Sequence, residues 1–476
     1  MSDVVVIGAG PAGVIAALRA AELGARTELL ARSEFGGMAA NDGPVPVRTL
    51  AHASRLMRDA KQLDRYGVTV SEPVLDYSRL LARVREVVED VCAHSSPRRQ
   101  IDLLGVKVRE QSGTVRFLDA HTVETRGGLR VQAEKFIICT GGVSRRLPIL
   151  GFELTSTHSD AWGLTSAPPS MLVVGGGATG VQVASIFNAF GTRIQLFEAG
   201  PRILATEDED IAAAAAAAFR ESGMVVKENF GIIESFEKTP GGVRMTFSKD
   251  GKRDAAEGAL VVVAVGWVAD TADLNLAAAG VELNSRRFVK IDEYLRTSAP
   301  HVFAAGDITG RLMLVPQALQ AGFVAATNAV RGPAMPLEEG VTTTGSFTDP
   351  EYAQTGLSES KARAMHDIVT AVVNFDSTTR TIIDGRKFGF CKLIADRKTA
   401  KILGCHVIGE RAVDIAQVAA ITIAAGMRVD ELAKIPFAFP TYTGVLLGAA
   451  VSAARQLNLE VGWQAQQAGS VCLGHT

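Results

Sequence analysis

The chain has 476 residues, 47% of them hydrophobic and 21% charged, and carries a formal net charge of −2. That length suggests about three domains, each able to bury a core, and the composition is that of an ordinary folded protein, not a disordered or membrane-embedded one. A nearly neutral chain lacks the basic field that nucleic acid or an anionic membrane surface requires, so neither is expected as a partner.

The chain enters a β-branched run, Val4 to Ile7, almost at once, with no basic segment ahead of it, and no signal peptide is expected. Gly8-Ala-Gly10-Pro-Ala-Gly13 follows and opens an amphipathic helix to Leu23. Polar helices are expected over about Leu50–Asp64 and Ser78–Ala93, then a β-rich stretch from Ile101 to Phe136. The same grammar restarts at Met171: Leu172 to Val174 leads into Gly175-Gly-Gly177-Ala-Thr-Gly180 and a helix to about Phe190. Arg193 to Phe197 reads as the next strand, and the alanine tract Ala212 to Ala218 as helix. After about residue 340, strands around Phe388–Ala395 and Ile402–Ile408 precede two apolar helices, which suggests an α+β unit. The longest apolar stretch, Ile415 to Met427, is too short to span a bilayer and reads as a buried helix. Gly462 to Thr476 has weak periodicity and reads as a tail or an arm on a partner subunit. Cys92, Cys139, Cys391, Cys405 and Cys472 form no CxxC, which argues against a disulfide framework or a zinc site and suits a reducing cytoplasm.

Two strand–glycine–helix units imply two dinucleotide sites on parallel sheets, hence an α/β fold with two Rossmann-type domains. A phosphate needs backbone N–H groups at a helix N-terminus. The first glycine makes the turn, the second admits the pyrophosphate and the third lets helix and strand pack closely. Gly8, Gly10 and Gly13 fill these roles in the first unit, and Gly175, Gly177 and Gly180 in the second. Glu198 ends the next strand 23 residues after Gly175, near the roughly 20 expected for an acid that accepts hydrogen bonds from a ribose diol. Such a carboxylate repels a 2′-phosphate and favours NADH, with NADPH left possible by nearby Arg202. The same count from Gly8 reaches Ala31, flanked by Arg32 and Glu34, so the first site lacks its ribose acid.

Thr297-Ser-Ala-Pro-His-Val-Phe303-Ala-Ala-Gly306-Asp307 resembles the second flavin signature of two-dinucleotide-domain flavoproteins. Cys139-Thr140-Gly141-Gly142 and Ala264-Val265-Gly266 resemble their strand-end crossover motifs. Phe347-Thr-Asp-Pro350-Glu351-Tyr-Ala-Gln-Thr-Gly356 and Lys392…Gly404…His406…Gly409 resemble the dimerisation domain of the pyridine nucleotide–disulfide oxidoreductases, and the resemblance runs from residue 2 to about 455. It implies an FAD domain of residues 1–147 and 270–340, an NAD(P) domain of 148–269, a dimerisation domain of 341–460 and a tail of 461–476. It also implies a homodimer. FAD would be held by Gly8, Gly10, Gly13, Gly37, Arg48, Thr140, Gly141, Gly306 and Asp307, with Asp307 on the ribityl chain. NAD(P)H would be held by Gly175, Gly177, Gly180, Glu198 and Gly266.

Departures from the pattern carry the functional reading. The double-cysteine segment aligns with Gly36-Gly37-Met38-Ala39-Ala40-Asn41-Asp42-Gly43-Pro44-Val45-Pro46, where Ala39 and Pro44 replace both thiols. The histidine and glutamate that the family donates across the dimer are Phe439 and Gly444 here. Arg48 stands for the lysine near flavin N5, Gln182 for its glutamate partner and Ala178 for the residue that gates the nicotinamide pocket. Met38 and Tyr442 either line the acceptor pocket or pack into the vacated space, and Arg145-Arg146 either approach a phosphate or form a solvated loop. His52, His94, His121 and His158 show no metal spacing and read as surface or helix residues. The expected activity is NAD(P)H oxidation through flavin directly to a small acceptor such as a quinone. Arg48, Gln182 and Phe439 would form the flavin environment, with no acid–base dyad. Hydride exchange between pyridine nucleotides and a non-catalytic nucleotide-binding role are the alternatives.

Overall fold

The computed structural model describes residues 1–94, 97–338 and 340–463. The predicted tail falls almost wholly outside the described residues.

Ser2–Ile7 forms the centre of a seven-stranded sheet, in parallel with Thr27–Leu30 on one side and Arg130–Ile138 on the other. Val302–Ala304 adds a further parallel strand beside Arg130–Ile138, which returns the chain to the first unit after a long excursion. Every residue from Val4 to Ile7 is buried, as a strand covered on both faces must be. The helices Pro11–Glu22 and Val315–Arg331 lie against each other there. Gly322 allows that approach, because a Cβ on it would fall 2.1 Å from the Ala12 carbonyl oxygen.

The excursion holds a four-stranded parallel sheet in the order Val225–Glu228, Arg193–Glu198, Ser170–Val174, Leu260–Val263, with an antiparallel meander of Ile232–Thr239, Gly242–Lys249 and Lys252–Gly258 beside it. A two-stranded ribbon, Gly142–Ser144 with Trp267–Ala269, joins the two units where the chain leaves and re-enters. The C-terminal part is a five-stranded antiparallel sheet covered by Ala412–Ala424 and Gly444–Gln456, an α+β layer as expected. Buried Lys392 bolts this sheet to the second unit through Asp208 and Asp210, each at 2.8 Å, and pairs within its own unit with Glu359 at 3.1 Å.

Three local expectations are corrected. The first polar helix begins at Pro44, not Leu50, since proline is well tolerated in a first helical turn. Ile101 belongs to a short helix, Arg98–Leu103, and the β-rich stretch begins only at Lys107. The helix Ala412–Ala424 is not buried all round: Ile415, Ala416 and Ala419 enter the core, whereas Ile421 is 63% exposed. Among the described residues no helix is long and apolar enough to cross a membrane.

Candidate functional site

The two glycine loops superpose in their constraints. Gly8 and Gly175 both take φ +108°, and a Cβ on either would strike a carbonyl oxygen, that of Cys139 at 2.2 Å or of Ala264 at 2.3 Å. Gly13 and Gly180 each leave only 1.8 Å between an added Cβ and the carbonyl oxygen of Gly8 or Gly175. Gly10 and Gly177, by contrast, face open space. Each loop is therefore packed tightly where helix meets strand and open where a pyrophosphate would approach, a cradle that fits the group. Gly37 docks on the first loop, with its added Cβ 2.7 Å from the Gly10 Cα. Gly306 brings the strand end within reach of the first helix, and burial lifts the carboxyl of the next residue, Asp307. Asp307 also lies beside Gly142, and Thr140 Oγ1 donates to the Asp270 carbonyl at 2.9 Å. Gly141 and Gly266, both at positive φ, flank the ribbon between the units.

The strand-end acids differ. Glu198 accepts hydrogen bonds from Gly176 N–H at 2.7 Å and Gly200 N–H at 2.6 Å, so its carboxylate is fixed at the mouth of the second loop. Arg202 turns away and donates to the carbonyls of Glu207 and Leu204. At the first loop Ala31 is buried, Glu34 is exposed, and Arg32 reaches across to Asp270 at 2.8 Å. The acid carried by that strand, Glu28, is buried and occupied by Arg109 at 2.7 Å.

Arg48 projects from Pro44–Ala60 and lies over the Phe347 ring. Burial pulls its guanidinium down to about 10, with Glu351 and Asp414 opposing the shift. Gln182, on Ala178–Ala189, accepts a hydrogen bond from Ser346 Oγ at 3.0 Å, and Ser185 Oγ accepts one from Asp349 N–H at 2.9 Å. Arg48 and Gln182 thus meet adjacent residues of a single segment. Ser346 is a participant that sequence reading missed, because a serine in a Thr-Gly-Ser run gives no signal by itself. Ala178 and Gly345 are both exposed and leave the mouth beside Gln182 open.

Phe439 is not gathered into this group within one chain. It is 77% exposed and precedes a cis peptide bond to Pro440. The Tyr442 hydroxyl donates to Asp384 at 2.8 Å inside the C-terminal unit. Gly444 opens the last helix. Arg145 follows the inter-unit ribbon, donating its backbone N–H to Gly266.

Two arrangements escaped the sequence reading. Cys391 and Cys405 lie on neighbouring strands with Sγ atoms 3.7 Å apart, fully buried in the C-terminal core, and the Cys405 contact with burial raises the Cys391 thiol far above its ordinary value. His158 is buried and not at the surface. It begins a five-residue helix whose Ser159 hydroxyl reaches Asp42 at 2.5 Å. Thr157 and Asp160 close a capping box on this helix, a signal in the sequence that could have placed it.

Comparisons with known proteins agree with this architecture. Residues 2–322 match the family described as pyridine nucleotide-disulphide oxidoreductase, and residues 342–450 match its dimerisation domain. A dihydrolipoyl dehydrogenase from Geobacillus stearothermophilus is 29% identical over 94% of this chain and 95% of its own. A mercuric reductase from Lysinibacillus sphaericus is 30% identical over 91% of this chain and 79% of its own. Among solved structures, the HOCl-induced flavoprotein disulfide reductase RclA from Escherichia coli shares the fold with a TM-score of 0.83 at 24% identity, covering 94% of this chain and 99% of that one.

Proposed function

Taking as premise that the chain belongs to the pyridine nucleotide-disulphide oxidoreductase family, whose members use FAD and NAD(H), we propose that it carries electrons from NADH through FAD directly to a small acceptor such as a quinone. FAD, when bound, supplies the redox chemistry. The chain's own residues position, shield and tune it. In this reading residues 1–147 and 270–340 hold FAD, 148–269 hold the nicotinamide nucleotide, and 341–460 pair two chains.

Gly8, Gly10, Gly13 and Gly37 shape the flavin pyrophosphate cradle, Thr140, Gly141 and Gly306 shape the adjoining strand ends, and Asp307 offers its carboxyl to a sugar hydroxyl. Gly175, Gly177, Gly180 and Gly266 form the second cradle, and Glu198 reads the ribose. Arg48, stacked on Phe347, keeps a cation beside the flavin. The Gln182–Ser346 hydrogen bond ties the nicotinamide side to the C-terminal unit without adding a negative charge. Phe439, exposed on one chain, is poised to enter the acceptor side of a partner subunit.

One observation carries the reading. The acceptor segment keeps its tight backbone, with Asn41 Nδ2 donating to the carbonyls of Phe35 and Gly37, yet presents Ala39 and Pro44 in place of thiols. Cys391 and Cys405 offer no substitute, because they are sealed within another core. Direct transfer is the route that survives the loss.

The test is anaerobic mixing of the yellow protein with NADH. Rapid bleaching with no long-wavelength thiolate–flavin band, followed by reoxidation on adding a soluble naphthoquinone, is the expected result. Reoxidation by a thio-NAD analogue but not by the quinone would favour nucleotide exchange. A flavin that neither NADH nor NADPH reduces would leave a binding role.

A further inference from the structure

Asp42 occupies the turn between the short helix that carries Ala39 and the long helix that Pro44 begins. Its Oδ2 accepts a hydrogen bond from Ser159 Oγ at 2.5 Å, across 117 residues of sequence. Ser159 Oγ lies 3.4 Å from His158 Nε2, and His158 Nδ1 lies 3.4 Å from Ser144 Oγ. Both ring nitrogens therefore face a hydroxyl, and the imidazole can carry its proton on either.

The helix holding this histidine is firmly placed. Trp162 stacks on Phe187 with centroids 6.0 Å apart, and the His158 ring meets Trp267 edge-on at 4.9 Å. Trp267 in turn lies near Gly142, which also has the Val268 carbonyl and Asp307 close by. The chain of hydroxyls and imidazole thus runs from the inter-unit ribbon that carries Ser144 to the segment where the redox thiols are missing.

We propose that Asp42, Ser159 and His158 form a proton relay serving the acceptor side, in place of the absent histidine–glutamate dyad. The inference rests on the direct-transfer reading above. The overall change is NADH + H⁺ + quinone → NAD⁺ + hydroquinone. The quinone receives one hydride equivalent that began on nicotinamide C4 and one proton from solvent. That proton travels through the relay: Ser159 O–H passes its proton to the Asp42 carboxyl, which hands one on to the quinone oxygen, while His158 Nε2–H reprotonates Ser159 and Nδ1 recovers a proton from the Ser144 side. No heavy atom moves far, because consecutive groups lie 2.5 to 3.4 Å apart.

The charged groups facing the ring are Asp42, from the acceptor segment, and Asp160, on the histidine's own helix. Burial lowers the pKa of His158 and these two carboxylates oppose the shift, so the ring is neutral and able to pass one proton at a time near neutral pH. Asp42, on the acceptor segment, hands the proton on, and Ser159 and His158 act behind it.

Asp42→Asn and His158→Asn, each prepared as FAD-loaded full-length protein, separate this role from a structural one. NADH bleaching of the flavin is expected to stay at the wild-type rate, while naphthoquinone turnover falls about 100-fold, in the range of general-acid effects. Added imidazole buffer is expected to restore part of the His158→Asn rate. The flavin midpoint potential followed against pH gives a readout independent of turnover. Wild type is expected to show a change of slope at the His158 titration, absent in both variants. Ser159→Ala should lose turnover as the other two do, and Ser159→Thr, which keeps a hydroxyl, should recover a large part of it, a rescue that a folding defect would not give. Unchanged pH profiles and unchanged potential slopes in both Asp42→Asn and His158→Asn overturn the relay. A wild type that NADH bleaches but no quinone reoxidises overturns the acceptor assignment instead, and the potential slopes still decide the relay.

Discussion

The two glycine loops share a backbone and differ in their surroundings. At Gly8 and Gly175 the φ values coincide, and at Gly13 and Gly180 the same 1.8 Å gap forbids any side chain. Beyond the turn they diverge. The second loop is braced: Gly176 donates to Glu198, its carbonyl accepts from Leu204 N–H at 2.8 Å, and the segment ends at buried Glu207 and Asp208, clamped to the C-terminal sheet. The first loop has no strand-end acid and relies on Gly37, Arg32–Asp270 and the Gly306 turn. The open, tightly turned glycine cradle is thus a backbone property that both loops keep, whereas the acid at the strand end is a side-chain property that only the second has.

The strongest way to break this comparison is to fill the shared gap. Gly180→Val forces a Cβ into the Gly175 carbonyl and is expected to yield a yellow protein that NADH no longer bleaches. Gly13→Val is expected to yield protein without flavin. Absorbance per chain after gel filtration, followed by NADH addition, reads both outcomes; if either variant retains both properties, the loops do not have separate duties.

The bracing of the second loop is expected to depend on pH. Burial first, with Asp208 adding to it, pushes Glu207 up to about 7 from an ordinary 4.5. A carboxyl raised on folding stabilises the native state fully below 4.5 and loses that contribution as pH climbs through 7. The loss is on the order of 3 kcal/mol between pH 4.5 and 8. Thermal unfolding across that range should show wild type declining more steeply than Glu207→Gln, and parallel curves would remove Glu207 from the account.

Removing the acid sharpens the contrast at smaller scale. Glu198→Ala orphans two N–H groups and a ribose partner, each charged hydrogen bond being worth about 1.5–3 kcal/mol. The KM for NADH should rise roughly 10- to 100-fold with flavin content unchanged. Smallest is Arg32→Ala. Arg32 is half exposed, so solvent screens its pair with Asp270 to about 1 kcal/mol, and FAD affinity measured by titration of the apoprotein should weaken only a few-fold.

Much of this molecule was legible before its coordinates. Both glycine loops, the strands beside them, Glu198 and the change of grammar after residue 340 follow from local rules: hydrophobic period, turn chemistry and residue spacing. The first polar helix was misplaced because Pro44 reads as a break when it is in fact a first-turn residue. The orientation of Arg202 was not legible either, since which carbonyls a guanidinium meets depends on a turn and not on a spacing.

The sequence alone determined that two glycine cradles exist and that Ala31 stands where a ribose acid is expected, because each is a residue identity at a position fixed by local spacing; that Ala39, Pro44, Phe439 and Gly444 stand in place of the thiols and the dyad is what the family resemblance implies. Tertiary structure alone decided that Ser346 holds Gln182, that Cys391 and Cys405 meet inside a core, and that Asp42 finds Ser159 and His158. Those pairings join residues separated by 164, 14 and 117 positions, and only the closing of sheets over shared cores brings such distant groups within hydrogen-bond reach.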